Sequence, residues 1–209
     1  MSQCRAPAQR WARAGYRVLI GSRTVERALS AAREMELHIQ RRLESGTNAE
    51  VAARADIIVV TVPYVAQAEV LASIRQASAG KLVIDATVPL LPPKVMRVQL
   101  PAEGCAALRA KALLGPDSKV VSAFHNVAAH KLAAGSDVDC DVLVFGDDKE
   151  ERERVIALCH AAGLRGLHAG ALANSAAAEA LTSVLIFINR HYAVDGAGIR
   201  IIGPEKCSR

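Results

Sequence analysis

Apolar residues in this chain fall into short runs separated by stretches with helical spacing. Tyr16–Arg23, YRVLIGSR, reads as a buried strand ending in Gly-Ser-Arg, after a helix-like segment Ala8–Ala14 closed by Gly15. Thr24–Met35 has the pattern of a helix, with Ser22 or Thr24 available as N-cap and Glu26 in its first turn. The polar stretch Glu34–Thr47 predicts that this helix continues to a break near Gly46, and Asn48–Ala55 predicts another short helix. Asp56–Val62 carries IIVVTV, a β-branched run expected of a strand covered on both faces. Val65–Ala77 is expected to be a helix and Lys81–Ala86 a strand; the proline-rich Leu90–Gly104 is expected to be irregular. Cys105–Leu114 predicts a helix stopped by Gly115-Pro116. Strands follow at Lys119–Ala123, Cys140–Phe145 and Leu164–His168, with a helix over Glu150–Ala162. Leu172–Tyr192 reads as one long, largely apolar helix, and Ile199–Ile202 as a short last strand.

This alternation predicts an α/β fold with a mainly parallel sheet. We place the nucleotide-binding part over residues 1–148 and a C-terminal part, packed on the same core, over 149–209. The apolar helix must bury itself on the sheet or against a second subunit.

Composition narrows the partners. Hydrophobic residues make up 51% of the chain but aromatics only 3%, so Ala, Val, Leu and Ile must build the core. A protein that stacks nucleic-acid bases would carry more aromatics. The net charge of +5 comes from scattered residues, a mild attraction for anions rather than a nucleic-acid surface. The five cysteines form no CxxC pair, which predicts free thiols in a reducing, cytoplasmic setting and no zinc. No membrane span is expected, and Met1–Arg5 is too polar for a signal peptide.

The chemistry gathers at strand ends. In a dinucleotide-binding βαβ unit the end of the second strand meets the adenosine ribose. An acidic residue there suits NAD, whereas Ser22 and Arg23, with Arg27 one turn on, suit the 2′-phosphate of NADP. Read alone, the same residues are equally a solvent-facing loop. Two strand ends repeat Thr-Val-Pro, at Thr61-Val62-Pro63 and Thr87-Val88-Pro89. Proline ends each strand abruptly and leaves backbone able to line a flat ring. His125 and Asn126 follow a third strand, where either could donate to a carboxamide or simply cap a loop. Asp85 reads as a strand-end hydrogen-bonding group. The spacing of His125 and His130 does not suit a metal. There is neither a Tyr-x-x-x-Lys pair nor an obvious His–Asp couple, so no acid–base catalyst is expected. A hydride passed between two cofactors needs mainly alignment.

IGSR at 20–23, TVPY at 61–64, IDATVP at 84–89, SAFHNVAA at 122–129, DCDVLVFGDD at 139–148 and GAGIRIIG at 196–203 resemble the NADPH-dependent reductases of coenzyme F-420, an 8-hydroxy-5-deazaflavin. The resemblance runs from about Ala8 to Gly203. It implies a Rossmann-like domain with a small C-terminal helical part, a homodimer, and hydride transfer between NADP(H) and F-420. It also implies that Ser22, Arg23 and Arg27 take the 2′-phosphate, with Thr61, Pro63 and Tyr64 near NADP. Val88, Pro89, His125, Asn126, Val127 and Ala197 would border the nicotinamide and deazaflavin rings. The family begins with a strand and a glycine-rich turn that this sequence lacks before Ala8, so a shortened N-terminus is expected. Two other readings stay open: reduction of another acceptor, such as an imine or metal chelate, and a non-catalytic nucleotide-binding remnant.

Overall fold

The structure is a computed structural model that describes residues 6–133 and 138–203. Its strands are β1 (Leu19–Ser22), β2 (Glu44–Thr47), β3 (Ile57–Val60), β4 (Leu82–Asp85), β5 (Lys119–Ser122), β6 (Asp141–Gly146) and β7 (Arg165–His168). The helices are α1 (Ala6–Arg13), α2 (Val25–Ile39), α3 (Asn48–Arg54), α4 (Tyr64–Ile74), α5 (Ala106–Leu114), α6 (Ala129–Ala133), α7 (Lys149–Ala161) and α8 (Ser175–Tyr192). The chain is thus α/β, and its sheet pairings are parallel except for β5 with β6.

The strands form two sheets, β1-β2 and β3-β4-β5-β6-β7. Helices join them. On one side Trp11 of α1 donates its indole N–H to the Leu158 carbonyl of α7 at 2.8 Å and meets Phe124 edge-on at 5.8 Å. Arg13 of the same helix reaches the His38 carbonyl at the end of α2. On the other side Lys81, just before β4, donates to the carbonyls of Ala52 and Ala53 in α3. The N-terminus of α3 lies by β1, where a Cβ on Gly21 would fall 3.0 Å from Asn48 Oδ1. The start of α3 therefore meets the end of β1, and its end meets the start of β4. This brings the carboxyl ends of β1 and β4 to one side of the molecule.

Strand β4 shows why the larger sheet is stable. All four of its residues are buried. Leu82 and Ile84 enter one apolar cluster with Trp11, Val121, Val142 and Val155; Val83 enters another with Leu71, Val120 and Leu172. That two-residue alternation carries the core on both faces. The run in β3 is less enclosed than its sequence predicts: Ile57 and Val59 are only half-buried. No ladder hydrogen bond joins β3 to β1.

Three elements differ from expectation. Helix α2 stops at Ile39, where Gln40 turns left-handed with φ 54°, and Glu44–Thr47 forms β2 rather than more helix. ESGT has no apolar alternation to announce a strand; parallel pairing with β1 imposes it, and Glu44 is held by Arg17 and Arg54. Ile199–Ile202 is not a strand. Asp141 N–H donates to the Ile199 carbonyl, but the Ile201 N–H goes to the Asp141 carboxylate, so no ladder forms. Helix α6 was not anticipated in the alanine-rich stretch after Val127.

Leu172–Tyr192 also departs from expectation. This 21-residue helix has a mean hydropathy of 1.3 over its most apolar 18-residue window, so it is long and apolar enough to cross a membrane by length and composition. Here it lies on the protein with an inverted pattern. Ser175, Glu179 and Ser183 face inward with Ala178 and Leu185, while Val184 and Phe187 face out. Residues 149–209 supply β7, which pairs with β6, so the two parts share one sheet. Cys105, Cys140 and Cys159 are free and buried; Cys4 and Cys207 lie outside the described residues.

Candidate functional site

The site begins at the end of β1. Thr24 caps α2, its hydroxyl accepting the Arg27 N–H at 3.4 Å. Glu26 is occupied locally: its own backbone N–H and the Thr24 hydroxyl hold its carboxyl below the ordinary range. Arg23 and Arg27 are exposed. Their guanidiniums make no hydrogen bond or ion pair with the described residues. Ser22 is half-buried beside them. Two unpaired guanidiniums and a hydroxyl at a strand end and helix start fit a phosphate monoester.

The Thr-Val-Pro segments end β3 and β4 as the sequence predicts. Pro63 is the N-cap of α4 and offers no side-chain cap, and its carbonyl accepts the Ala66 N–H. Thr61 is half-buried next to it. Tyr64 opens α4, and the Arg109 guanidinium of α5 sits 4.8 Å from its ring centroid. Beyond β4 the Leu90 N–H turns back to the Val88 carbonyl at 2.7 Å, which leaves Val88 half-buried and Pro89 buried.

Asp85 closes β4 inside the protein. Its carboxylate accepts from the Thr87 N–H at 3.1 Å and from Gln67 Nε2 at 2.7 Å. Gln67 also donates to the Ala106 carbonyl at 3.0 Å. Burial pushes the Asp85 carboxyl up to about 7, and Glu179 nearby adds to the rise. Gln67 Oε1 and Thr87 Oγ1 are enclosed without partners.

The third strand end turns through Phe124, which has φ 68°. His125 Nε2 then lies 2.8 Å from Ser122 Oγ. Burial drives the His125 imidazole down to about 4, so it is neutral at ordinary pH. Asn126 donates both amide hydrogens to α8, to the Ala178 carbonyl at 2.9 Å and Thr182 Oγ1 at 3.1 Å. This leaves Asn126 no amide hydrogen for a carboxamide, while the role of His125 is set by its tautomer. The donors of Asn126 are engaged by α8, and Nε2 of His125 is engaged by Ser122.

The C-terminal tail joins this turn. The Ala197 N–H donates to Asn189 Oδ1 at 2.7 Å, and His130 pairs with Asp195 at 2.8 Å. Gly196 and Gly198 are required here. A Cβ on Gly196 would fall 2.6 Å from Ala128 Cβ, and one on Gly198 would fall 2.8 Å from Cys140 Cβ. Ala197 therefore sits beside the His125–Val127 turn, with Val127 half-buried in it. Residues 1–5, ahead of α1, lie outside the described residues.

Sequence reasoning missed the buried polar groups beneath this rim. Glu179 accepts the N–H groups of Ala106 and Ala107 at 2.6 and 3.1 Å, at the start of α5. Its neighbour one turn back, Ser175, lies 2.6 Å from Ser122. The available signal was Ser and Glu at i, i+4 within an otherwise apolar helix.

A largely parallel α/β sheet with unpaired cations at one strand end and open backbone at the others defines a Rossmann-like NADP-binding protein. A family model described as NADP oxidoreductase coenzyme F420-dependent matches residues 2–89. The F420-dependent NADP reductase of Methanothermobacter thermautotrophicus is 40% identical over 210 residues, 95% of this chain and 90% of that protein. The F420-dependent NADP reductase of Methanocaldococcus jannaschii is 35% identical over 200 residues, 90% of this chain and 89% of its own. A solved structure from Arthrobacter sp. FB24 matches with a TM-score of 0.82 at 21% identity, covering 97% of this chain and 96% of that one, a likeness of fold. The chain belongs to the family of F420-dependent NADP reductases, which are NADP-dependent oxidoreductases.

Proposed function

We infer that this chain passes a hydride between NADPH and the oxidised deazaflavin of coenzyme F-420. The observation that carries the reading is 40% identity along 95% of the chain to a protein of that activity. The bound cofactors supply the chemistry, a hydride donor on one side and a hydride acceptor on the other. The protein's part is to bind, orient and exclude water. Ser22, Arg23 and Arg27 hold the adenosine 2′-phosphate through charge-assisted hydrogen bonds, which suits them to NADPH over NADH. Thr61, Pro63 and Tyr64 continue that site along the β3 end. Val88 and Pro89, the His125–Val127 turn and Ala197 present backbone and small side chains to the reacting rings. No side chain is assigned acid–base work. The two-part division places nucleotide binding in 1–148 and the closing helix and tail in 149–209.

The second copy in the assembly docks on the outer face of α8. Val184, Phe187 and Tyr192 of α8 are exposed, and so are Val98 and Leu100 in the segment before α5. A depression of about 390 Å³, lined by Met96, Phe187, Arg190 and His191, lies in the same face. Exposed apolar residues around such a depression fit an interaction site. The three buried free cysteines suit a reducing cytoplasm. Calorimetric titration with NADPH and with NADH tests the first half of the reading, and tighter NADPH binding is expected. Equal affinities would overturn the 2′-phosphate assignment.

A further inference from the structure

The buried contacts beneath the rim form a chain whose direction is set by chemistry. Ser175 Oγ lies 3.1 Å from Glu179 Oε1, 2.6 Å from Ser122 Oγ, and Ser122 Oγ lies 2.8 Å from His125 Nε2. A carboxylate only accepts. Burial raises the Glu179 carboxyl, and the Ala106 and Ala107 N–H groups at the α5 N-terminus, where negative charge is favoured, oppose that rise and hold it as an acceptor. Ser175 therefore donates its single hydroxyl hydrogen to Glu179 and must accept from Ser122. Ser122, its hydrogen committed, must accept from His125. The ring nitrogen facing Ser122 then carries the proton, and Nδ1 of the neutral ring keeps a free lone pair.

Nδ1 makes no hydrogen bond to the described residues. Among the described residues the fully enclosed side-chain atoms without partners are Gln67 Oε1 and Thr87 Oγ1; Nδ1 is not one of them, so part of the 8% exposure of the otherwise buried His125 falls on Nδ1. His125 stands three residues beyond β5, beside the β4 end.

We propose that Glu179 is a positioning residue that acts through Ser175 and Ser122 to fix His125 as its Nε2–H tautomer, and so presents Nδ1 as a hydrogen-bond acceptor for an amide-type N–H of the ligand. The ligand half rests on the hydride-transfer reading; the tautomer half does not. Such an acceptor selects a ring system or carboxamide that offers an N–H at that point. A carbonyl placed there would face a lone pair.

The test is long-range proton–nitrogen NMR of the nitrogen-labelled chain at neutral pH, with His125→Gln to assign the ring. The wild type is expected to show a protonated Nε2 and a pyridine-type Nδ1. A protonated Nδ1, or a doubly protonated ring, would overturn the proposal. Ser175→Ala cuts the chain two side chains away from the ligand. It is expected to give both tautomers in exchange and to raise the KM for one cofactor by roughly 2- to 10-fold with kcat little changed. An unchanged tautomer and KM in this variant would contradict it. The tautomer is read without turnover, so absence of hydride transfer would overturn the functional reading separately.

Discussion

On the proposed reading, Arg23 and Arg27 are the side chains on which cofactor choice turns, because no described carboxylate neutralises their charge. A hydrogen bond from a charged donor contributes roughly 1.5–3 kcal/mol. Arg23→Ala is therefore expected to raise the KM for NADPH by roughly 10- to 100-fold and to leave NADH turnover unchanged. Steady-state kinetics with both nucleotides would check it; equal losses with each would place Arg23 outside the phosphate site. Asp85 and His125 make a second residue-scale prediction. Burial raises Asp85 from 3.8 to about 7, so its contribution to stability is fully present below pH 3.8 and is lost as pH rises through about 7. Burial lowers His125 from 6.5 to about 4, so its contribution is present above pH 6.5 and is lost as pH falls through about 4. Across the shared window the two slopes oppose each other. Asp85→Asn removes one of them. The variant's unfolding free energy is expected to climb with pH relative to wild type by roughly 2–4 kcal/mol between about pH 4 and 6.5. Parallel curves from urea titrations would contradict the buried, protonated Asp85.

Elements differ in how plainly their residues announce them. Helix α3 was legible because Thr47 and Glu50 form a capping box before a short alanine-rich run. The strand β4 was legible from its apolar run. By contrast, β2 carries no pattern of its own, since its neighbour β1 and not its side chains makes it a strand. The candidate site divides in the same way. Ser22–Arg23 and the Thr-Val-Pro ends were visible, because turn chemistry and charge are local. The direction in which Asn126 donates was not, because Ala178 and Thr182 lie more than fifty residues away and meet it only through folding. The approach of α3 to β1 gives a prediction at this scale. A methyl at Gly21 would stand 2.7 Å from Val51 Cγ2. Gly21→Ala is expected to destabilise the protein by roughly 1–3 kcal/mol, read as a lowered urea midpoint. An unchanged midpoint would mean that α3 and β1 are not closely packed.

For the whole molecule, the inverted pattern of α8 links the site to the proposed subunit contact. Its inward polar residues engage the strand ends and α5, while its outward Phe187 is 51% exposed. A helix that binds its own fold through serines and a glutamate leaves its apolar side exposed, and the proposed second copy would cover it. Phe187→Glu is expected to convert a dimer to monomers in sedimentation velocity without loss of helical signal. A wild-type monomer, or a variant that stays dimeric, would place the subunit contact elsewhere. The central claim concerns hydride transfer, and one assay addresses it most directly. Oxidised coenzyme F-420 is mixed with NADPH and the purified chain, and the deazaflavin's visible absorbance is followed. The account predicts protein-dependent bleaching with NADPH, far slower bleaching with NADH, and recovery of the absorbance when NADP in excess drives the reaction back. No bleaching with NADPH, or faster NADPH oxidation with an imine or a metal chelate than with the deazaflavin, would contradict it.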